Sequence, residues 1–149
     1  YEVLHHTALL EELQAAGKLP THGAVDGKVT FHDPCYLGRV HGETEAPRSL
    51  LRSVLSESGA LEEPARHGQD TACCGAGGGR MWFDDAPETR VGRDRIEELV
   101  ETGAETVVTG CPFCLRMVTD GVAEHDHGPA VKDVAEVLLE VVNGAREET

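Results

Sequence analysis

The chain reads as an α/β protein, a parallel sheet flanked by helices on both faces, with a cluster site at the carboxyl edge of the strands. Two observations predict this. Segments of helical period alternate with short β-branched runs, the pattern of parallel strands joined by crossover helices. Two of those runs deliver a cysteine as they end: Lys28-Val-Thr-Phe-His32 leads into Asp33-Pro34-Cys35, and Glu105-Thr-Val-Val-Thr109 into Gly110-Cys111. That is the edge at which such sheets gather ligands.

Taken in order, residues 3–17 read as an amphipathic helix with Leu4, Leu9, Leu10 and Leu13 on one side and Gly17 as its stop. His5 and His6 ride on it as surface or core-edge side chains. Pro20 to Gly27 is a loop. The strand at 28–32 must stop before Pro34, which cannot donate to a ladder. A second helix runs from Pro47 to about Ser56, with proline suited to its first turn and Leu50, Leu51, Val54 and Leu55 apolar. A weak strand lies around Leu61. Thr71–Trp82 then sets Cys73 and Cys74 against a glycine run that suits neither helix nor strand. Pro87 to Val100 is a third helix, with Val91, Ile96, Leu99 and Val100 inward and Gly103 closing it. Residues 105–109 are the clearest strand. Pro112 opens a helix through Leu115, Met117, Val118 and Val122. A short strand near Ala130–Val131 precedes a helix from Asp133 to Asn143, ended by Gly144, and the remaining tail is charged and frayed.

The totals narrow the function. A chain of 149 residues suits one domain with a core that needs no disulfide staples. A net charge of -14 argues against nucleic acid, which requires a basic stripe. Lys18, Lys28 and Lys132 are the only lysines, and an acidic, lysine-poor surface is one that halophiles use to stay soluble. No apolar run approaches the roughly 18–20 residues of a membrane span, and no signal peptide opens the chain. This segment itself is expected to make no membrane contact. The first residue is Tyr1, not Met, which suggests an excised piece of a longer protein. Five cysteines are an odd number for a disulfide framework and point to metal or redox chemistry in the cytosol.

Every cysteine belongs to one pattern, C–x37–CC–x36–C–x2–C, made by Cys35, Cys73, Cys74, Cys111 and Cys114. Clustered thiolates repel one another unless a metal offsets their charge. Cys111 followed by Pro112 at a helix start turns backbone N–H groups and the positive helix end toward the sulfurs. Gly75, Gly77, Gly78 and Gly79 let backbone approach closely enough to hydrogen-bond a cofactor's sulfide. Tyr36, Met81, Trp82 and Phe113 flank the sulfurs and would exclude water, with Trp82 and Phe113 equally readable as core. His32, three residues before Cys35, is the candidate catalytic residue, relaying a proton to a substrate disulfide or hydrogen-bonding a cluster sulfur. Arg39 and Arg80 would offset cluster charge. Two adjacent cysteines are awkward for one tetrahedral ion but can serve two irons, so the pattern favours a thiolate cage for iron and sulfide; zinc is the rival. The bacterial ferredoxin run is absent. A dithiol pair at Cys111 and Cys114 would leave three cysteines unexplained, and a Cys73–Cys74 disulfide would be strained. A dinucleotide loop fails because the last glycine of its fingerprint falls on Arg80.

His32-Asp-Pro-Cys-Tyr-Leu-Gly-Arg39, Cys73-Cys-Gly-Ala-Gly-Gly-Gly-Arg-Met-Trp82 and Cys111-Pro-Phe-Cys114 resemble the cysteine-rich CCG domain. That domain occurs in the B and D polypeptides of heterodisulfide reductase, the iron–sulfur polypeptides of glycolate oxidase and of anaerobic glycerol-3-phosphate dehydrogenase, and lactate-utilisation proteins. With His5-His6-Thr7 near the start, the wording is similar to iron–sulfur oxidoreductases associated with electron-transfer flavoprotein. The resemblance covers about Tyr1 to Val142. It implies a single CCG domain over residues 1–149, the carboxyl-terminal part of a longer protein. It implies a noncubane 4Fe-4S cluster held by Cys35, Cys73, Cys74, Cys111 and Cys114, as in heterodisulfide reductase, where the cluster cleaves a disulfide by successive one-electron steps. Zinc is the alternative, since CCG sites can also hold it, in a structural or docking domain without redox turnover. The implied partners are other domains or subunits of an electron-transfer complex, including electron-transfer flavoprotein. The implied location is cytoplasmic, at the inner face of a membrane through a parent protein.

Overall fold

The computed structural model describes residues 1–19 and 25–147. Strands β1 (Lys28–His32), β2 (Ala60–Glu62), β3 (Thr106–Thr109) and β4 (Ala130–Asp133) pair in parallel in the order β2-β1-β3-β4. Helices α1 (His6–Ala15), α2 (Glu45–Val54), α3 (Arg93–Glu101), α4 (Pro112–Val122) and α5 (Val134–Glu147) cover both faces. The central strands are buried on both sides, as parallel strands between helix layers must be. Val29, Phe31 and Val108 meet Leu50, Leu51 and Val54 of α2 and Val137 and Leu138 of α5. On the opposite face Val107 meets Ile96 and Leu99 of α3 and Val118 and Val122 of α4. In register, His32 stands opposite Thr109. The two central strands therefore end level, and Asp33 and Gly110 leave the sheet side by side.

The first helix departs from its expected phase. It begins at His6, after His5 caps it, and buries Thr7 while Leu4 and Leu9 stay 43% and 46% exposed. A tertiary contact decides this: His5 Nε2 donates to the Gly110 carbonyl (3.0 Å), and Thr7 Oγ1 donates to His5 Nδ1 (2.7 Å). Gly17 (φ +67°) does close the helix. Of the expected loop from Pro20 to Gly27, residues 20–24 lie outside the described residues, and Val25 bridges Leu55. Helix α2 starts two residues before Pro47 because the Glu43 carboxylate accepts from the free N–H groups of Glu45 (3.1 Å) and Ala46 (3.0 Å).

The third helix is shorter than its sequence suggests. Pro87–Thr89 forms a separate 3₁₀ turn, α3 starts at Arg93, and Val91 is 50% exposed, not inward. The chain breaks there because Gly92 lies against the Cys74 carbonyl, where any Cβ would collide. The glycine run after Cys74 folds into two short 3₁₀ turns across Gly77–Trp82, interrupted at Gly78 (φ +66°) and Gly79 (φ +74°). Helix α5 passes through Gly144 to Glu147, since Gly144 does not take the left-handed conformation that closes a helix. Of the charged tail, residues 148–149 lie outside the described residues.

One buried ion pair crosses the first α/β layer. Arg48 (3% exposed) holds Asp33 (1%) through two bonds of 2.7 and 2.8 Å and also grips Glu63 at 2.7 and 2.8 Å. Removing one partner of such a pair strands a buried charge. Arg48→Met is expected to lower unfolding stability by about 3–5 kcal/mol in a urea titration. Lys132→Met, which breaks the more exposed Lys132–Glu140 pair, should cost no more than about 1 kcal/mol.

Candidate metal centre

The strand ends deliver two of the three cysteine segments. Beyond β1 the chain leaves through Asp33 and Pro34 into Cys35, and a π-type turn at Tyr36–Val40 follows, a feature that recurs at functional sites. Beyond β3, Gly110 leads to Cys111, which caps α4 from an extended conformation and leaves Cys114 in the first turn, 4% exposed. The Cys73-Cys74 segment comes from outside the sheet and has to be brought in. Three bonds do so: the Gly68 N–H donates to Asp33 Oδ2 (2.7 Å), Thr71 Oγ1 donates to the Asp33 carbonyl (3.2 Å), and Arg39 Nη2 donates to the Thr71 carbonyl.

The sulfurs consequently meet at one rim. Cys74 Sγ and Cys114 Sγ are 3.3 Å apart, much longer than a disulfide bond, and all five cysteines are free. The Gly75 N–H donates to Cys73 Sγ at 3.3 Å. Burial and the neighbouring Cys73 and Cys74 sulfurs push the Cys35 thiol up. Cys111 is held down to about 6, first by the Cys114 thiol and then by the Cys114 and Phe113 N–H groups. Cys74 is held down to about 4 by the Cys114 thiol, then by His32 and the Ala76 N–H, against the opposing effect of burial. Cys114, wedged between two sulfurs that both favour their anionic form, keeps its proton and is pushed up. The arrangement is a preformed, partly ionised thiolate set with backbone donors pointed at it.

His32 sits beneath this set, 1% exposed, with a ring nitrogen within 4.8 Å of both the Cys74 and Cys114 sulfurs. Its Nδ1 accepts from Arg95 Nε at 2.8 Å, and burial first, then the Arg95 charge, lowers its basicity against the pull of Cys74. Gly75 (φ +94°) needs glycine for its left-handed turn and for its approach to Gly92 and Met117. Gly77 and Gly78 face open space, and only Trp82 comes near Gly79. Tyr36, Trp82 and Phe113 are 69%, 80% and 55% exposed, so Trp82 and Phe113 are not core. Phe83 is likewise exposed, at 70%. Arg80 pairs with Asp85 (2.8 Å), whereas Arg39 acts directly, its charge favouring the Cys35 thiolate.

Three residues important to the geometry gave little or no local signal of their role. Arg48 and Arg95 resemble ordinary exposed helix cations. The clue for Arg95 was its place one turn before Leu99, on the apolar side of α3. Gly92 appeared only as a residue inside a helix.

Two outcomes test this geometry. Gly92→Ala should displace the Cys74 backbone and lower metal retention severalfold, measured as bound metal per chain after gel filtration, with far-ultraviolet dichroism unchanged. In metal-free protein, Cys111 should be alkylated by iodoacetamide before Cys35. Its thiol is depressed, so its rate should be flat above a pH of about 6 and fall roughly tenfold per unit below it.

Comparison with known proteins gives a consistent result. The sequence profile of the cysteine-rich CCG domain matches residues 29–119. The chain is 41% identical, across 93% of its length, to the EtfAB:quinone oxidoreductase of Syntrophomonas wolfei. It is 38% identical across 97% to the probable iron-sulfur-binding oxidoreductase FadF of Bacillus subtilis. To the D polypeptide of the dihydromethanophenazine:CoB–CoM heterodisulfide reductase of Methanosarcina barkeri it is 32% identical across 95%. The matched region spans 20% of the first two proteins and 34% of the third.

Proposed function

The chain belongs to the cysteine-rich CCG domain family, and from that premise we propose that it is the iron–sulfur electron-transfer module of a heterodisulfide reductase-like oxidoreductase. The observation that carries this reading is the convergence of five free thiols from three chain segments on one rim, two of them depressed toward thiolate. Cys35, Cys73, Cys74, Cys111 and Cys114 would hold a noncubane 4Fe-4S cluster. The donor set fits such an anionic group: soft sulfur ligands, N–H donors from Gly75 and Ala76, and a nearby cation in Arg39. A bound cluster supplies one-electron transfer.

The protein's own groups do the rest. The Cys114 thiol, the α4 start and the Gly75–Ala76 backbone stabilise negative charge on the sulfurs. His32, the proposed functional histidine, is too buried to meet a solvent-borne substrate and instead faces sulfur.

Residues 1–149 are read as one CCG domain of a longer protein, a view supported by the small share of its relatives that the chain spans. The exposed side chains of Tyr36, Trp82, Phe83 and Phe113 support partner domains or subunits closing over the sulfurs, and electron-transfer flavoprotein is a proposed partner. No helix among the described residues is long and apolar enough to cross a membrane. Attachment to the inner membrane face would therefore depend on other parts of the parent protein.

A second reading has a specific observation behind it: His32, Cys74 and Cys114 form a compact group of zinc-type ligands. Metal analysis of anaerobically isolated protein separates the two. Iron and acid-labile sulfide in equal amounts, visible absorption and a multi-site Mössbauer spectrum are expected, with iron falling in each of the five single Cys→Ser variants. A colourless protein with stoichiometric zinc would establish the structural, non-redox reading instead.

A further inference from the structure

Arg95 is the most deeply buried cation of the described residues and takes no part in the thiol set. It is 0% exposed; its Nη1 donates to the Arg66 carbonyl (2.7 Å) and to Glu98 Oε2 (3.1 Å), and its Nε donates to His32 Nδ1 (2.8 Å). Glu98 is in turn gripped by Arg66. A guanidinium has donors and no acceptor. Nδ1 of His32 must therefore be the bare, accepting nitrogen, and the single ring proton must sit on Nε2. That nitrogen is buried without a hydrogen-bond partner, and the sulfurs of Cys74 and Cys114 lie within 4.8 Å of a ring nitrogen of His32.

We propose that Arg95 is a positioning residue which locks His32 as the Nε2–H tautomer, making the imidazole a hydrogen-bond donor to the sulfur of Cys74 and preventing it from serving as a metal ligand. The arrangement inverts the usual support of a ligating histidine. There a carboxylate or carbonyl accepts from one ring nitrogen and so leaves the other bare for the metal. Here a donor occupies the first nitrogen and the proton is left facing the site. A donor to a cluster sulfur offsets the extra negative charge of the reduced state and raises the reduction potential. That effect on potential depends on the iron–sulfur reading above, whereas the tautomer depends only on the hydrogen bonds of this chain.

The test keeps those two apart. Long-range proton–nitrogen correlation spectra of histidine-labelled protein, isolated anaerobically and also in a diamagnetic zinc-substituted form, report which ring nitrogen of His32 carries the proton. Wild type should show Nε2–H in both forms. Arg95→Lys, which keeps a donor, should retain it, and Arg95→Met should give a mixture of tautomers. A proton on Nδ1 in wild type, or a metal-bound Nε2, overturns the proposal whichever metal is present. In the iron-loaded protein, His32→Phe and Arg95→Met should each lower the midpoint potential by about 59 mV, a tenfold change in a one-electron equilibrium. The double variant should add little, and Arg95→Lys should restore most of it. Additive shifts, or a shift in Arg95→Met with His32 still held as Nε2–H, would show that Arg95 acts only as a nearby charge and would sink the relay. Should Arg95→Met fail to fold, the wild-type tautomer and the His32→Phe potential decide the matter.

Discussion

Asp33 holds three parts of the molecule at one point. Its carboxylate accepts two bonds from Arg48 of α2 and one from the Gly68 N–H, and its carbonyl accepts from Thr71. Gly68 and Thr71 belong to the approach to Cys73 and Cys74, and Asp33 itself follows β1 and precedes Cys35. The loop that carries the paired cysteines has no strand or helix to deliver it to the rim. Its position depends on this knot. A buried carboxylate with fewer bonds would be too costly to keep; with four donors around one residue, the burial is sustained and the loop is pinned.

The second half of the rim is organised differently. Gly110 and Cys111 arrive there through sheet geometry, because β3 ends level with β1, and His5 then clamps the Gly110 carbonyl from the first helix. Cys114 follows one helical turn later. One side of the thiol set is therefore supported by ladder hydrogen bonds and the other by a polar knot. Gly92 and Gly75, packed flat against each other beneath Cys74, allow the two sides to close to sulfur–sulfur contact.

Electrostatics runs against the chain's overall composition at this rim. The protein carries a net charge of -14, yet the groups that favour thiolate at the sulfurs include the Arg39 cation, His32, and the backbone N–H groups of Gly75, Ala76 and Phe113. Arg39 is exposed, whereas His32 and Gly75 are buried, where charge is much less screened than on the acidic surface. A strongly acidic protein can in this way hold several thiolates at one place.

The order of elements, the parallel sheet at its carboxyl edge and the five cysteines were all legible in the residues alone. They depend on local chemistry: proline and glycine stop elements, β-branched runs favour strands, and thiols have few other uses in such a pattern. His32 was legible as a candidate because it lies three residues from Cys35. Helix phases and breaks were less so. Thr7 turned inward because of a bond to His5, and Val91 turned outward because Gly92 had to meet Cys74. What tertiary structure alone decided was which charged side chains go inside. Arg95 finds His32 across 63 residues and Arg48 finds Asp33 across 15. The burial of a charge is settled by a partner distant in sequence, which no local pattern records.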